Sequence, residues 1–478
     1  MRILFKAVTL SSCLAASACV TVGPNFHEPP APSVTGYSME GDDVVASSVQ
    51  LQPSANAPAQ WWTSFQSDAI NQVIADAVGH SQTLAQANAR LEQARANARA
   101  TQGEQLPQVN AQASAVRERI NTTAFGITGF PSPTINLYSI GPSVSFDLDL
   151  FGGKRRASER DRASAAAESA RVDAAYLTLS GDIVRQAVLI AGLRAKIDAQ
   201  DAIIAGDQHT LDMVNRAIQV GGQPRAAADT ASAQLAEDSA AAPVLRQQLA
   251  VARHHMALLV GRTPAEWRAP DFDFAQMTPP TTFPVSLPSD LVRRRPDILA
   301  AEDELHAATA NIGVETAALY PNLAINASLL QQAVDTSALF DQSSAGWSIG
   351  PGITAPLFHG GSARARVRAS NAAARGAYAN YQQTVLQAFV QVADVMQAIG
   401  HDQEAFDAQQ RAVAASDANS RNAQLAYENG AGTLLSLVDA QRQASRARLN
   451  AVDARVTLYQ DIAALFVATA ADWRGAAR

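Results

Sequence analysis

Polar and apolar residues alternate strictly over two stretches of the chain, 139–150 and 348–357. Alternation with a period of two predicts β-strands, and weaker patterns of the same kind predict partner strands over 107–118 and 321–332. Ten or more alternating residues are typical of a membrane β-barrel strand, whose apolar side faces lipid and whose polar side faces a water-filled interior. A half-buried strand of a soluble sheet alternates in the same way, so the pattern alone leaves both kinds of sheet open.

The loops and the number of strands favour a barrel. The loops between the paired strands, 121–137 and 335–346, are long and polar, as extracellular loops are. Two hairpins from one chain would leave open sheet edges in lipid, so closure requires further copies of the chain. Pro142 and Pro351 have no amide hydrogen, and we expect them where strand pairing is interrupted. On this hypothesis the polar side chains of the first long strand face the lumen, namely Ser143, Ser145, Asp147 and Asp149.

Large side chains recur every seven residues over two other segments, 176–218 and 378–427, with Ser420 as the exception in the second. A strict heptad pattern predicts helices that pack along a supercoiled seam, whereas the stripe of an ordinary straight helix would drift by about 20° per heptad. The surrounding segments 155–220 and 362–428 contain no Pro. Each is therefore expected to form a single helix about 100 Å long, at about 1.5 Å per residue.

Glycine pairs follow both long segments and predict tight turns, after which helical patterns return. Each long helix and its returning partner are therefore expected to form a helical hairpin, 155–259 in the first case and 362–472 in the second. Glycine adopts left-handed or otherwise tight backbone conformations without the steric cost of a side chain. The glycines assigned to the two turns are Gly221, Gly222, Gly430 and Gly432.

The chain repeats itself at an offset of 209 residues. Ser-Ile-Gly-Pro at 139–142 recurs at 348–351, and Gly221 recurs as Gly430 at the same offset. Several ordered matches at one offset indicate two structurally equivalent halves. The predicted organisation is a first repeat over 63–260, a linker over 261–295, a second repeat over 296–472 and a tail over 473–478.

The N-terminus resembles a secretory signal. A basic start and a short apolar segment lead to Ala16-Ser17-Ala18-Cys19, so residues 1–18 are predicted to be a signal peptide. Ordinary cleavage at the Ala-x-Ala box is one alternative. Cleavage at a lipobox, which would leave Cys19 as the lipidated first residue, is the other, and we expect it. Residues 19–62 are rich in Pro, Ser and Ala and are predicted to form an extended tether.

Composition and charge exclude several classes of function. The net charge is −7, and no basic block indicates a nucleic-acid surface. Both cysteines lie within the first 19 residues, which excludes a disulfide scaffold or a Cys-based metal site in the body of the protein. Sequence signatures of serine hydrolases, zinc peptidases and phosphate loops are missing, and the adjacent His254 and His255 lie on different sides of a helix. We therefore expect no catalytic residues, no metal site and no cofactor.

Several short motifs follow one another along nearly the whole chain. They are Val22-Gly23-Pro24-Asn25-Phe26, Trp61-Trp62 with Phe65, Arg294-Arg295-Pro296-Asp297, Pro356-Leu357-Phe358 with Gly360-Gly361, and Asp439-Ala440-Gln441. Together they resemble the outer-membrane efflux duct family, the TolC-like lipoproteins of NodT type in tripartite RND efflux systems.

The resemblance implies a mainly α-helical fold with a small membrane β-barrel. Long antiparallel coiled-coil helices would form an α-barrel, and each chain would add four transmembrane strands and two internal repeats to a closed homotrimer. The implied partners are a periplasmic adaptor (membrane fusion) protein, an inner-membrane RND-type transporter and outer-membrane lipid, with no nucleic acid. The implied location is the outer membrane of a Gram-negative bacterium.

The resemblance also implies a gate at the periplasmic end of the duct. In the family, the acid at the position of Asp439 points into the narrow end, so three copies would place three like charges around one axis. A solvated helix residue and a local ion pair with Arg442 are the alternatives for Asp439. The other residues assigned to the gate are Tyr427, Ser436 and, from an ambiguous alignment of the first half, Asp229.

The expected function is a passive channel that carries small molecules from the periplasm and the inner-membrane transporter to the exterior. One alternative is the outer-membrane duct of a type I protein secretion system. Another is a structural coiled-coil lipoprotein of the periplasm, which would lack the alternating strands and long loops. A periplasmic enzyme on a helical stalk is the third, and only about 260–295 is free to form it. The sequence does not specify the cargo.

Overall fold

The structure is a computed structural model that describes residues 21–34, 36–41, 50–53, 60–121, 126, 129, 132–285 and 288–469. The predicted signal peptide 1–18, the lipidation candidate Cys19 and the tail 473–478 lie outside these residues. The chain divides into two compact units, each assembled from three stretches. The sheet unit contains the described part of Met1–Pro29 with Arg90–Glu168 and Ala300–Tyr381, and the helical unit contains Pro30–Ala89, Ser169–Leu299 and Gln382–Arg478 as far as they are described.

The chain is mainly helical. Its α-helices are α1 (Asp68–His80), α2 (Gln82–Gly103), α3 (Gly153–Gln219), α4 (Arg225–Val260), α5 (Pro288–Val292), α6 (Pro296–Ala317), α7 (Ser362–Glu428) and α8 (Leu434–Ala468). Both α3 and α7 contain 67 residues, which corresponds to about 100 Å at 1.5 Å per residue. Among the described residues, none of the helices has both the length and the apolar character that crossing a bilayer would require.

Four antiparallel strands form the sheet of the sheet unit. They are β2 (Gln108–Arg119), β3 (Thr134–Asp147), β5 (Asn322–Ala333) and β6 (Ala345–Thr354), in the order β2-β3-β5-β6. The register between β2 and β3 is continuous from Gln108 opposite Ser145 to Arg119 opposite Thr134. Strands β2 and β6 are therefore the two edges of the sheet in a single chain.

The second strand differs from its predicted bounds of 139–150. It begins five residues earlier, at Thr134, and ends at Asp147, so the connection before it is shorter than predicted. The prediction that Asp149 belongs to this strand is wrong. Asp149 has a φ of +44°, and its carboxylate accepts the backbone N–H groups of Lys154 and Arg155 in the first turn of α3. Because four N–H groups are unsatisfied at a helix start, a carboxylate is better placed there than in the strand.

Strand pairing is interrupted at Pro142, as predicted. The register between β3 and β5 stops after Ile140 and resumes at Ser143. Gly141 lies in this gap, where an added Cβ would stand 1.9 Å from the carbonyl oxygen of Leu329. The same prediction is wrong for Pro351, which lies opposite Ile325 in an uninterrupted register. Because β6 is an edge strand of the single chain, its unpaired side has no ladder bond for Pro351 to lose.

The core of the helical unit is built around aromatic residues that precede α1. Trp61 and Phe65, in a short 3₁₀ helix, are fully buried, and Trp61 stacks on Phe466 of α8 with 5.3 Å between ring centroids. The segment predicted as a linker, 261–295, contributes to the same core through Phe272, Phe274, Met277 and Phe283. It also contains β4 (Thr282–Val285), which pairs in parallel with β1 (Gln50–Pro53).

Two parts of the predicted tether pack against the folded chain. In the sheet unit, the backbone N–H of Val22 donates to the carbonyl of Phe151 at 3.1 Å. In the helical unit, Tyr37 lies edge-on to Phe389 of α7, with 5.8 Å between ring centroids. In each unit, a described part of the tether is therefore in contact with another element.

Candidate functional site

One face of the sheet is a ladder of small polar side chains. Residues directly opposite each other in an antiparallel pair lie on the same face. On this face Ser145 Oγ donates to Asn326 Oδ1 at 3.0 Å, while Asp147 accepts from Asn322 Nδ2 at 3.0 Å. Ser143 lies opposite Asn110 on β2 and Ser328 on β5, and two hydroxyl pairs join neighbouring strands on the same face, Ser114 with Ser139 and Ser328 with Ser348.

The other face of the sheet is apolar and exposed. Its side chains alternate with the polar ladder on all four strands, and Trp347, Ile353 and Val109 expose 77%, 72% and 67% of their surface. An exposed apolar surface of this extent on a four-stranded sheet marks a contact with lipid or protein. The described part of this face comprises Val109, Ala111, Ala113 and Ala115 on β2, Tyr138, Ile140, Val144 and Phe146 on β3, Leu323, Ile325, Ala327 and Leu329 on β5, and Trp347, Ile349 and Ile353 on β6.

Arg156, near the start of α3, forms hydrogen bonds with the segment that contains Val22 and Asn25. The guanidinium of Arg156 is buried and donates to the carbonyl of Val22 at 3.2 Å and to Asn25 Oδ1 at 2.6 Å. It also pairs with Glu159 at 2.7 Å. Gly23 has a φ of +89°, and a Cβ there would lie 2.5 Å from the Cα of Gly313. These contacts explain the Gly and the Asn of the Val22–Phe26 motif.

The turns after α3 and α7 each contain two glycines at positions where a side chain would cause strain. Gly221 and Gly430 have φ values of +76° and +72°, a conformation that residues with a Cβ rarely adopt. A Cβ on Gly432 would lie 3.0 Å from the backbone nitrogen of Tyr427, and one on Gly222 would lie 3.3 Å from the carbonyl oxygen of Ala217. The four glycines therefore lie at two tight turns. In each turn the first glycine is required by its positive φ and the second by the close approach of the backbone.

A capping box starts α8 directly after the second turn. The hydroxyl of Thr433 accepts the N–H of Ser436 at 3.1 Å, and the hydroxyl of Ser436 accepts the N–H of Thr433 at 3.2 Å. This reciprocal pair fixes the first turn of the helix and thereby the direction of the side chains that follow it. Ser436, predicted as a gate residue, thus has a defined structural contact in the single chain.

Asp439 lies one turn further along α8 with its carboxylate exposed. Within the described parts of the chain, no hydrogen bond or ion pair involves it. Arg442, the alternative local partner, instead pairs with Glu237 of α4 at 3.0 Å. Asp229 on α4 is likewise exposed. The hydroxyl of Tyr427 is buried without a hydrogen-bond partner among the described residues, and this burial raises the pKa of the Tyr427 phenol.

Two pairs of aspartates, which the sequence did not reveal, join the helices of each hairpin. Asp207 of α3 is buried beside Asp238 of α4; burial and this neighbouring carboxyl raise the pKa of Asp207 to about 7. In the second hairpin, burial and Asp461 of α8 raise the pKa of Asp402 on α7 to about 7. In each pair the neighbouring carboxyl therefore favours the protonated form of the buried aspartate, because two adjacent carboxylates cannot both ionise without strong repulsion.

The first of these pairs lines a small polar cavity. The cavity has a volume of about 100 Å³ and also receives Glu237, Gln441, Arg442 and Arg446. Gln441 Nε2 donates to Thr210 Oγ1 at 3.1 Å, which links α8 to α3 in the helical unit. Asp207 and Asp238 are 31 residues apart, and they meet only because α3 and α4 pack in one particular register. No local sequence pattern therefore predicts this pair. Across the described residues, no cluster of three or more His, Cys, Asp and Glu could hold a metal ion.

The sequence is similar to those of known outer-membrane efflux proteins. Residues 73–262 and 287–471 match the family described as outer membrane efflux protein. The chain is 29% identical over 463 residues to nodulation protein T of Rhizobium leguminosarum bv. viciae, which covers 96% of this chain and 90% of that protein. It is 25% identical over 469 residues to the cation efflux system protein CusC of Escherichia coli O6:H1, which covers 98% and 99% of the two chains.

The structure is also similar to a solved channel. The outer-membrane channel OprN superimposes with a TM-score of 0.86 at 28% identity, covering 95% of this chain and 99% of that one. The family match extends over most of both halves of the sequence. The chain therefore belongs to the outer membrane efflux protein family, and its location is the outer membrane of a Gram-negative bacterium.

Proposed function

We propose that the protein is a passive trimeric duct of a tripartite efflux system, through which small molecules leave the cell. The observation that carries the proposal is the four-stranded sheet with one polar face, one exposed apolar face and two open edges. Unpaired edge groups cost several kcal/mol each in lipid, so β2 of one copy must pair with β6 of the next. Three copies would close a barrel of twelve strands, with the apolar faces toward lipid and Ser143, Ser145 and Asp147 toward the lumen.

The matched lengths of the two halves support an internal duplication. Helices α2 and α6 have 22 residues each, α3 and α7 have 67 each, and β2 and β5 have 12 each. With both halves present, three chains would supply six similar hairpins. Such an arrangement allows the helices to enclose a periplasmic passage with near six-fold regularity, as the resemblance to the family implies.

The N-terminal contacts support a lipid anchor at Cys19. Val22 is fixed by Phe151 and Arg156 next to the end of β3. Cys19 precedes Val22 by three residues, and a chain of that length spans at most about 10 Å between Cα atoms, at about 3.5 Å per residue. A thioether-linked lipid at Cys19 would thereby begin near the end of β3 and insert into the membrane that the barrel spans.

The hairpin turns support a gate and a docking end. Asp439 is exposed and unpaired on the helix after the second turn, and the capping box of Thr433 and Ser436 fixes where that helix starts. In a trimer, three Asp439 carboxylates around one axis would bind cations and repel anions at the narrow end of the passage. A periplasmic adaptor and an inner-membrane RND-type transporter would dock at this end, and the transporter would supply the driving energy, as the resemblance to the family implies.

Mass and conductance measurements test the proposal. Native mass spectrometry of the purified protein in detergent should give three chains per particle, and planar bilayers should show single-channel currents. Asp439→Ala should lower the ratio of cation to anion permeability several-fold. Asp198→Ala, at an exposed position of α3, is the charge-matched control and should leave the ratio unchanged. A monomer that leaves bilayers sealed in every variant would refute the duct, and an unchanged ratio in Asp439→Ala would refute the gate assignment alone.

A further inference from the structure

The outward apolar face of β2 ends in two arginines. Four consecutive outward positions of this strand, from Val109 to Ala115, are apolar, and the next two are Arg117 and Arg119. Both arginines are exposed, and their cross-strand neighbours on β3 are Asn136 and Thr134. The same face of the sheet therefore changes from apolar to cationic within one strand.

No anionic group of the described chain compensates these charges. Neither arginine has an ion pair or a side-chain hydrogen bond among the described residues. Glu118 lies between them in sequence, but it pairs with Ile135 and points to the opposite face of the sheet. The connection that follows, 120–133, contains no Asp or Glu. Two like charges this close repel each other, so the site favours an anion that both can contact.

The position of the arginines matches the edge of a bilayer. Arg117 and Arg119 lie eight and ten residues beyond Val109, which is about 26 Å and about 33 Å along the strand at about 3.3 Å per residue. A barrel tilt of about 40° reduces these distances to about 20 Å and about 25 Å along the membrane normal, compared with an apolar band about 25 Å tall. The strand starts next to α2 and ends at the long connection, so this edge belongs to the outer leaflet of the proposed barrel.

We propose that Arg117 and Arg119 bind the phosphate groups of a phosphorylated glycolipid in the outer leaflet, an inference that rests on the barrel proposed above. A guanidinium forms paired hydrogen bonds with phosphate oxygens and keeps its charge at every physiological pH. Below the arginines, Ala111, Ala113 and Ala115 form a shallow strip beside Ile140 and Tyr138 of β3. This strip leaves room for an acyl chain, so the site accommodates both the headgroup and the tail of one lipid.

Trimers in lipid nanodiscs test this site. The discs contain phosphatidylethanolamine alone, or with added lipid A in its bisphosphorylated or its dephosphorylated form, and the readout is the temperature at which the trimer dissociates. We expect bisphosphorylated lipid A to raise this temperature for the wild type and not for the double variant Arg117→Gln/Arg119→Gln. At about 1 kcal/mol per arginine, the double variant should bind the phosphorylated lipid roughly 30-fold more weakly.

A matched control and a second readout separate the possible failures. Arg95→Gln/Arg99→Gln removes two exposed arginines from α2 and should respond like the wild type. An equal response of the Arg117/Arg119 variant, or an equal effect of the dephosphorylated lipid, overturns the proposal. A lower dissociation temperature of that variant in phosphatidylethanolamine alone also overturns it and assigns the arginines to a contact between copies. Single-channel currents of both variants should remain normal; their absence in the wild type would refute the duct instead.

Discussion

Replacing Asp207 by Asn should remove most of the pH dependence from the packing of the first hairpin. Asp207 exposes only 6% of its surface and lies against Asp238, with Glu237, Arg442 and Arg446 around the same cavity. Burial and the neighbouring carboxyl raise its pKa from 3.8 to about 7 in the folded protein. The Asp207→Asn substitution would keep a hydrogen-bond donor toward Asp238 without carrying a titratable group.

The sign follows from the raised pKa. An Asp with a higher pKa in the folded state binds its proton more tightly there, so its contribution to stability is complete below about pH 4 and is lost as the pH rises through about 7. The shift from 3.8 to about 7 corresponds to a contribution on the order of 4 kcal/mol, at about 1.4 kcal/mol per unit. Between pH 5 and pH 8, local opening of the α3–α4 contact should therefore become up to about a hundredfold more frequent, because the carboxyl is already ionised in the opened state over this whole range.

Hydrogen exchange measured by mass spectrometry checks this prediction. Peptides around Asp207 and Asp238 should lose protection between pH 5 and pH 8, after correction for the intrinsic exchange rate, and the Asp207→Asn protein should stay nearly constant. Asp198→Asn, an exposed position on the same helix, is the matched control and should behave like the wild type. Equal pH dependence in the wild type and in Asp207→Asn would refute the raised pKa of Asp207.

Other substitutions test separate parts of the structure. Gly141→Ala should lower the dissociation temperature of the purified protein by several degrees, because its Cβ would stand 1.9 Å from the Leu329 carbonyl oxygen; an unchanged temperature would contradict the close contact. Arg156→Ala leaves the carbonyl of Val22 without its buried donor, at a cost of about 1–3 kcal/mol. Limited proteolysis should therefore cut the N-terminal segment faster in this variant, and equal rates would contradict the attachment of Val22 to Arg156. Cys19→Ala should abolish labelling with a radioactive fatty acid, and retained label would refute the anchor.

Periodicity in the sequence was sufficient to predict the long helices and the alternating faces, because both depend on patterns within a single element. It failed at element ends. The end of β3 depends on Asp149, whose carboxylate caps α3 instead of continuing the strand. The prediction for Pro351 is wrong because its place on a sheet edge depends on the strand order, which is a property of the fold.

The remaining features depend on contacts between distant residues. The segment 261–295 lacks a regular pattern, and its role in the core follows only from packing against Trp61 and its neighbours. The Asp207–Asp238 pair requires the exact register of α3 and α4, which the turn at Gly221 sets. Likewise, the lipid site at Arg117 and Arg119 could be proposed only after the register with β3 showed that both arginines lie on the apolar face.

The central claim is that several copies of the chain enclose a water-filled passage lined by the polar face of the sheet. Ser145→Cys places a thiol on that face, and Val144→Cys places one on the adjacent apolar face as the control. We predict that a negatively charged methanethiosulfonate changes the single-channel current of Ser145→Cys in three steps, one per copy, and leaves Val144→Cys unchanged. A current that does not respond at Ser145, or that responds at Val144 instead, would contradict the account.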